Sequence, residues 1–460
     1  MLSTTIFLTP GKVTMNNSTD STADILARAE QNHIKFIDLQ FTDVVGVVKN
    51  VTIPSHELTA ALKNGIWFDG SSIEGFARVA ESDMHLRPDP STFAIIPWLT
   101  GEDATARLIC DVFTPDGQPF PGDPRSILRR VINDAAQMGF GYNTGPELEF
   151  FLLKPNPDGS LIPPIPYDRG SYFDAPSDMS AGLRRQMATT LEALGLQVEA
   201  MHHEGARGQQ EIDFRYSDAL TTADSAVTLR VALKVIAQQN GLYCTFLPKP
   251  IRGINGSGMH VHQSLTYIAN GRNAFSDPGD AHGLSKIAKH FIAGQLAHAR
   301  GMCAILAPLV NSYKRLVAGY EAPVYISWAR INRSALIRVP RASESDSTRL
   351  ELRCPDPSCN PYLAFAVMLA AGLDGIRREL PVPEATEENI YLLEKPNYSS
   401  RDVLPSSLNQ ALKAMEEDDV VRDALGAHTH EVFINAKRLE WEDYRLEVTD
   451  WELEKYLSNY

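Results

Sequence analysis

Apolar positions along this chain recur first at strand-like spacing and then in alternation with helical stretches, and the changeover divides it. After a polar lead-in over residues 1–19, TADILARAEQNH places Ile25, Leu26 and Ala29 on one side, which predicts a helix. IKFIDLQF and VVGVVKNVTI read as two strands separated by Thr42 and Asp43, and FAIIPW and ARLICDVF as further short β-rich pieces. The Pro- and Gly-dense TPDGQPFPGDP, Thr114 to Pro124, closes this small mixed domain. Beyond it, helical spacing runs over Arg125–Met138, Asp224–Gln239, Leu284–Leu306 and Pro361–Ile376. Strand patterns fall at Leu148–Leu153, Tyr243–Leu247, Val324–Trp328, Leu336–Val339 and Arg349–Arg353. No strict βαβ series is present, so an α+β fold with an antiparallel sheet is expected. The expected divisions are 1–19, 20–116 and 117–460.

Composition narrows the class. A chain of 460 residues exceeds what one core usually accommodates, and its 43% hydrophobic content can bury a large one. A net charge of −14 argues against wrapping nucleic acid or lying on an anionic membrane. The five cysteines form no CxxC or metal-type spacing and suit reduced thiols in the cytoplasm. No segment approaches the roughly 20 apolar residues of a membrane helix. The first residues make a poor signal peptide, and Met15 is a possible alternative start.

The chemistry lies in acids placed where a core should be. In GPELEFFLL, strand alternation puts Glu147 and Glu149 on one face and Leu148 and Phe150 on the other. A sheet with one solvated face would explain that stretch alone. EAMHHEGARGQQEIDF adds Glu199, His202, His203, Glu204, Glu211 and Asp213, NGSGMHVHQS adds His260 and His262, and RLELRC sets Glu351 between two leucines. Several glutamates with one or two histidines suit a pair of hard divalent cations, Mg²⁺ or Mn²⁺, better than zinc. Polar loops and buried ion pairs can account for each segment singly. The four together point to cations, because unpaired buried carboxylates are costly.

Between Arg315 and Arg353 the chain carries seven arginines against four acids. Several sit on strand-like apolar segments. Arginine's planar fork matches carboxylate and phosphate oxygens, although domain or subunit salt bridges also use it. There is no GxxxxGK[ST] loop and no GxGxxG after a strand. A phosphoryl site would therefore be built from divalent ions and arginines, which suffices for a reaction that needs positioning and charge neutralisation.

The strings FDGSSIEGF, GPELEFF, HHEGARGQQEIDF, PKPIRGINGSGMH, NSYKRLVAGYEAP, NRSALIRVP and NPYLA, in that order, resemble bacterial-type (class I) glutamine synthetase from about residue 20 to Tyr460. The resemblance implies a β-grasp-like N-terminal domain and a catalytic domain on a curved antiparallel sheet. It implies ATP-dependent ligation of ammonia to glutamate through γ-glutamyl phosphate, in nitrogen assimilation. One cation would be held by Glu149, Glu204 and Glu211, the other by Glu147, His260 and Glu351. Arg333 and Arg338 resemble phosphate-binding arginines, and Glu199, His262 and Ser264 match nucleotide-contacting positions. Arg315 and Arg353, with Asn255 and Gly256, resemble the residues holding glutamate.

Asp69 and Ser72 resemble the family's ammonium pocket, and Glu321 the flap residue that closes the site. The implied assembly is two stacked hexameric rings in which Asp69 serves a neighbouring subunit's site. Arg78 resembles the residue through which the branch lacking nucleotidylation senses glutamine, and the residues after Tyr391 do not match the nucleotidylated branch. Two rival readings share the resemblance. One is a γ-glutamyl-polyamine or γ-glutamyl-amine ligase, against which Asp69 and Ser72 argue. The other is a catalytically inactive nitrogen sensor, against which the complete ligand set argues. Regulatory protein partners are compatible with either reading.

Overall fold

The structure is a computed structural model that describes residues 22–71, 83–342, 347–387 and 403–460. The N-terminal part comprises α1 (Thr22–Gln31), β1 (Phe36–Thr42), β2 (Val48–Pro54), α2 (Leu58–Asn64), β3 (Ile66–Asp69), β4 (Asp83–Pro88), β5 (Ala94–Ile95) and β6 (Thr105–Phe113). Its sheet runs β2-β1-β6-β4-β3, with β5 beside β6. β1 and β6 are parallel, and the other neighbours are antiparallel. Ile37, Leu39 and Phe41 alternate along β1 and bury against Ile25, Leu58, Met84 and Leu108. The β1–β2 turn occupies Asp43–Val47 rather than two residues. Gly46 takes φ +90° there, and the Asp43 carboxylate accepts the Val47 N–H at 2.8 Å.

The larger part continues with α3 (Pro124–Gln137), β7 (Phe140–Lys154), β8 (Ile165–Pro166), α4 (Ala181–Ala193), β9 (Val198–His203), β10 (Gln209–Phe214), β11 (Ser217–Asp218), α5 (Ala219–Gln239), β12 (Tyr243–Thr245) and β13 (Met259–Tyr267). Then come α6 (Lys286–Ala297), α7 (Ala299–Leu306), α8 (Ser312–Arg315), β14 (Trp328–Ala329), β15 (Ile337–Arg338), β16 (Leu350–Leu352), α9 (Pro361–Arg377), α10 (Leu408–Glu416), α11 (Asp419–Leu425), α12 (Ala427–Leu446) and α13 (Asp450–Tyr456). The sheet order is β14-β15-β16-β13-β7-β10-β9, antiparallel except for β14 with β15. One face of β7 (Leu148, Phe150, Leu152) enters the main core with α3, α5, α6 and α9.

The fold is therefore α+β, with a β-grasp domain ahead of a large sheet backed by helices. Arg125, buried in the first turn of α3, ties the two parts. Its guanidinium reaches Asp89 and Asp111 at 2.7 Å and Asp224 at 2.9 Å. Among the described residues, no helix is long and apolar enough to cross a membrane.

Several predicted elements change shape. The helix expected over Leu284–Leu306 is two helices meeting at His298, whose ring lies between Asp374 (3.0 Å) and Asp418 (2.8 Å). α5 starts at Ala219 rather than Asp224, because Asp218 caps it by accepting the Thr221 N–H at 3.0 Å. Expected strands at Val324–Trp328 and Leu336–Val339 shrink to two residues each. β7 begins eight residues before Leu148. The helices after Ile376 are not foretold by the periodicity described above.

Candidate functional site

The register of six strands builds the site. On β7 and β10, Glu149 lies opposite Glu211 and Glu147 opposite Asp213. On β10 and β9, Glu211 lies opposite His202. On β7 and β13, Glu147 lies opposite His260 and Gly145 opposite His262. His262 in turn faces Glu351 on β16, and Glu351 faces Arg338 on β15. Directly paired residues project from the same side of a sheet. One face thus gathers acids, imidazoles and arginines while the other packs the core.

Two donor sets result. Donor atoms of Glu147, His260 and Glu351 lie within 4.8 Å of one another, as do those of His202, Glu204 and Glu211. In the first set, Glu147 is 3.3 Å from His260 Nδ1 and 2.8 Å from His262 Nε2. Glu351 is fully buried and meets Arg338 Nε and Arg353 Nη1, each at 2.5 Å. Arg349 Nε donates to His262 Nδ1 at 3.3 Å, which leaves Nε2 to donate to Glu147. In the second set, His202 Nε2 lies 2.9 Å from Glu204 and 3.9 Å from Glu211, and the Phe173 ring stacks on it at 5.2 Å.

Glu149, expected with Glu204 and Glu211, lies opposite Glu211 in register, and its Oε2 accepts from Gln209 Nε2 at 2.7 Å and from the Gly258 N–H at 3.0 Å. His202 stands with Glu204 and Glu211 in the same donor set. Burial, then the charge of Glu204, holds Glu149 well above the usual carboxylate range, and burial, then Asp213, does the same to Glu211. Burial pushes Glu147 up as well, but His262 and His260 outweigh it and leave it well below. Glu351 falls to about 2, because Arg353 and His262 outweigh burial.

This donor chemistry fits hard divalent ions. Oxygen donors predominate, one imidazole serves each set, and Glu149, Glu204 and Glu211 are buried together. Such a group is stable as carboxylates only beside a cation.

The remaining predicted residues are spread around these sets. His262 and Ser264 lie along β13, and Glu199, on β9, is exposed. Asn255 and Gly256 sit half-buried on the loop before β13, where a Cβ on Gly256 would come within 2.2 Å of the Pro248 carbonyl oxygen. Arg315 is buried and donates to the carbonyls of Arg353, Cys354 and Pro355 at 2.9–3.1 Å. Arg333 is exposed. Glu321 is exposed at φ +56°, next to Tyr320, whose ring lies 3.8 Å from Lys249 Nζ. Asp69 ends β3, exposed, and accepts the Ser71 N–H at 2.9 Å. Ser72, Arg78 and Tyr391 lie outside the described residues. Sequence reasoning named His202 and Asp213 without assigning them. It counted Arg349 in the arginine cluster without giving it a role, and it missed Gln209 and Phe173, which show their relevance only through hydrogen-bond and ring contacts.

Comparison with known proteins agrees over nearly the whole chain. The family model of the glutamine synthetase catalytic domain matches residues 121–456, and that of the glutamine synthetase β-grasp domain matches residues 33–115. The chain is 53% identical over 446 residues to the glutamine synthetase of Thermus thermophilus, covering 95% of this chain and 99% of the relative. It is 51% identical over 440 residues to that of Clostridium saccharobutylicum, covering 95% and 98%. Among solved structures it is similar to a GmaS/ADP complex, with a TM-score of 0.85, 34% identity and 95% and 99% coverage. The chain belongs to the glutamine synthetase family, enzymes that form glutamine from glutamate and ammonia with ATP.

Proposed function

We propose that the sheet face described above carries this ligation through γ-glutamyl phosphate. Glu147, His260 and Glu351 would hold one cation. Glu204, Glu211 and Glu149, joined by His202, would hold the other. The convergence of these donors in two sets on one sheet face carries the reading. Mg²⁺ or Mn²⁺ bound there would neutralise phosphate charge and draw the terminal phosphoryl group of ATP toward transfer.

The chain's own residues would do the rest. Arg333 and Arg338 face the phosphates, while Glu199, His262 and Ser264 seat the nucleotide. Arg315, Arg353, Asn255 and Gly256 orient glutamate so that its side-chain carboxylate attacks. Oxide is a hopeless leaving group, and phosphorylation replaces it with phosphate. Asp69, with Ser72 of the same FDGSS string, attracts ammonium and takes its proton, which frees the nucleophile. Glu321 closes the site and keeps water from the acyl phosphate. Asp69 would serve a neighbouring subunit within a dodecamer of two stacked hexamers in the cytoplasm. Arg78 would relay feedback by glutamine. The domain division proposed is 20–116 and 117–460.

Phosphate release from ATP with glutamate, with and without ammonium, in Mg²⁺ and separately in Mn²⁺, tests this. Glutamine should accumulate in step with phosphate only when ammonium is present. Turnover with putrescine but none with ammonium would favour an amine ligase, and no phosphate release under any condition would favour an inactive sensor.

A further inference from the structure

His203 is the one member of the HHE string that the cation sets do not use, and it is almost wholly buried. Its Nδ1 lies 2.6 Å from the backbone carbonyl oxygen of Glu204. A carbonyl only accepts, so Nδ1 carries a hydrogen. Its Nε2 lies 2.8 Å from Asp168 Oδ1. That carboxylate, also buried, accepts in addition from the Gly208 N–H at 3.1 Å and from Ser180 Oγ at 2.5 Å. The ring thus bridges Asp168 to the Glu204 backbone, with both of its nitrogens engaged.

The position of this pair is informative. Glu204 and Gly208 bracket the turn between β9 and β10, and Glu204 and Glu211 lie on either side of that turn. Asp168 grips the turn at both ends, through His203 at Glu204 and directly at Gly208. Glu204 N–H closes the same turn on the Gln209 carbonyl at 2.9 Å. The fit is tight: a Cβ on Gly170 would come within 2.9 Å of His203 Nε2.

We propose that the buried Asp168–His203 hydrogen-bonded pair is the positioning device of the cation set built on Glu204 and Glu211. It fixes the Glu204 backbone so that the Glu204 carboxylate meets Glu211. Partners of this kind behind metal ligands typically set affinity by 10- to 100-fold. The Glu147/His260/Glu351 set has no contact with the pair and keeps its own affinity. This inference rests on the reading of both sets as cation sites.

The test is a Mn²⁺ titration of the assembled protein without nucleotide, with free Mn²⁺ followed by electron paramagnetic resonance. Breaking one partner alone leaves a buried polar group without its hydrogen bond, so the informative variant replaces both, Asp168→Asn with His203→Gln. It should bind Mn²⁺ 10- to 100-fold more weakly at one site and as the wild type does at the other. Gly170→Ala, which presses on the ring without changing any charge, should weaken the same site and serves where the double variant does not fold. Two unaltered sites in either folded variant overturn the proposal, as does equal weakening of both, which marks a general structural role. Glu211→Gln separates the two readings. If it removes one Mn²⁺ site while the double variant removes none, only the positioning role fails. If it removes none, the cation assignment itself fails.

Discussion

Glu147 and Glu149 stand two residues apart on one strand, the first half-buried and the second buried, and they carry opposite electrostatic histories. Glu147 shares its surroundings with His262, His260, Arg353 and Arg338, directly or through Glu351, and both Glu147 and Glu351 are held low. Glu149 shares its surroundings with Glu204 and Glu211, and both Glu149 and Glu211 are held high. The first set has its charge balanced by the chain. In the second, Arg315 lowers Glu149 but is outweighed by burial and Glu204, and the remaining balance is left to something that binds. An incoming cation must compete with arginines at the first set and with protons at the second.

The largest effect should come from unbalancing the first set. Arg353→Met removes one of two guanidinium partners from the fully buried Glu351. An uncompensated buried charge of this kind costs about 3–5 kcal/mol. Urea unfolding in EDTA should show a loss of that order, and glutamine formation should fall with it. A loss below about 1 kcal/mol would mean that Arg338 alone balances Glu351 and that the contrast between the sets is weaker than drawn.

A smaller effect should appear on changing pH. The raised carboxylates Glu149 and Glu211 bind protons more tightly folded than unfolded, so the metal-free protein loses stability as pH rises from about 5 toward their raised values. The slope is at most about 1.4 kcal/mol per pH unit for each. Glu351 acts in the opposite sense. Its contribution is complete above the ordinary carboxylate range and is lost only as pH falls toward about 2. His203 and His298 are raised by carboxylate partners despite burial, so their contributions also fade with rising pH. They do so with or without the ion, and the difference between thermal unfolding in EDTA and in saturating Mn²⁺ therefore isolates the second set. That difference should grow with pH, and a difference constant between pH 5 and 8 would break the comparison.

How far the sequence carried this contrast can be followed residue by residue. Alternation in GPELEFF put both glutamates on one face, because a strand's period of two is a local property. The apolar face of β7 followed from the same pattern. Which acid faces a cation of the chain and which faces another acid depends on register across β9, β10, β13 and β16, and no local pattern encodes that register. His202 joins the second set beside Glu149 for this reason. The division at His298 was equally hidden, since its partners Asp374, in α9, and Asp418, capping α11, lie far along the chain.

The smallest effect on stability is the most discriminating, because its sign runs against habit. Removing a buried acid from an enzyme's site usually costs stability, and Arg353→Met should behave in that way. Glu211→Gln should do the reverse in the absence of metal. Asp213, Glu147, Glu204 and Glu149 all raise Glu211, and none is a cation. An amide of the same shape removes that repulsion, and the metal-free protein should gain about 1 kcal/mol at pH 8. The gain should shrink as pH falls and Glu211 becomes protonated in the wild type. Calorimetric titration with Mn²⁺ in buffers of different ionisation enthalpy should then show fewer protons released than in the wild type, since one competing proton is gone. If Glu211→Gln lowers metal-free stability at pH 8, some cationic group on the chain already balances the second set, and the two sets do not differ in the way proposed.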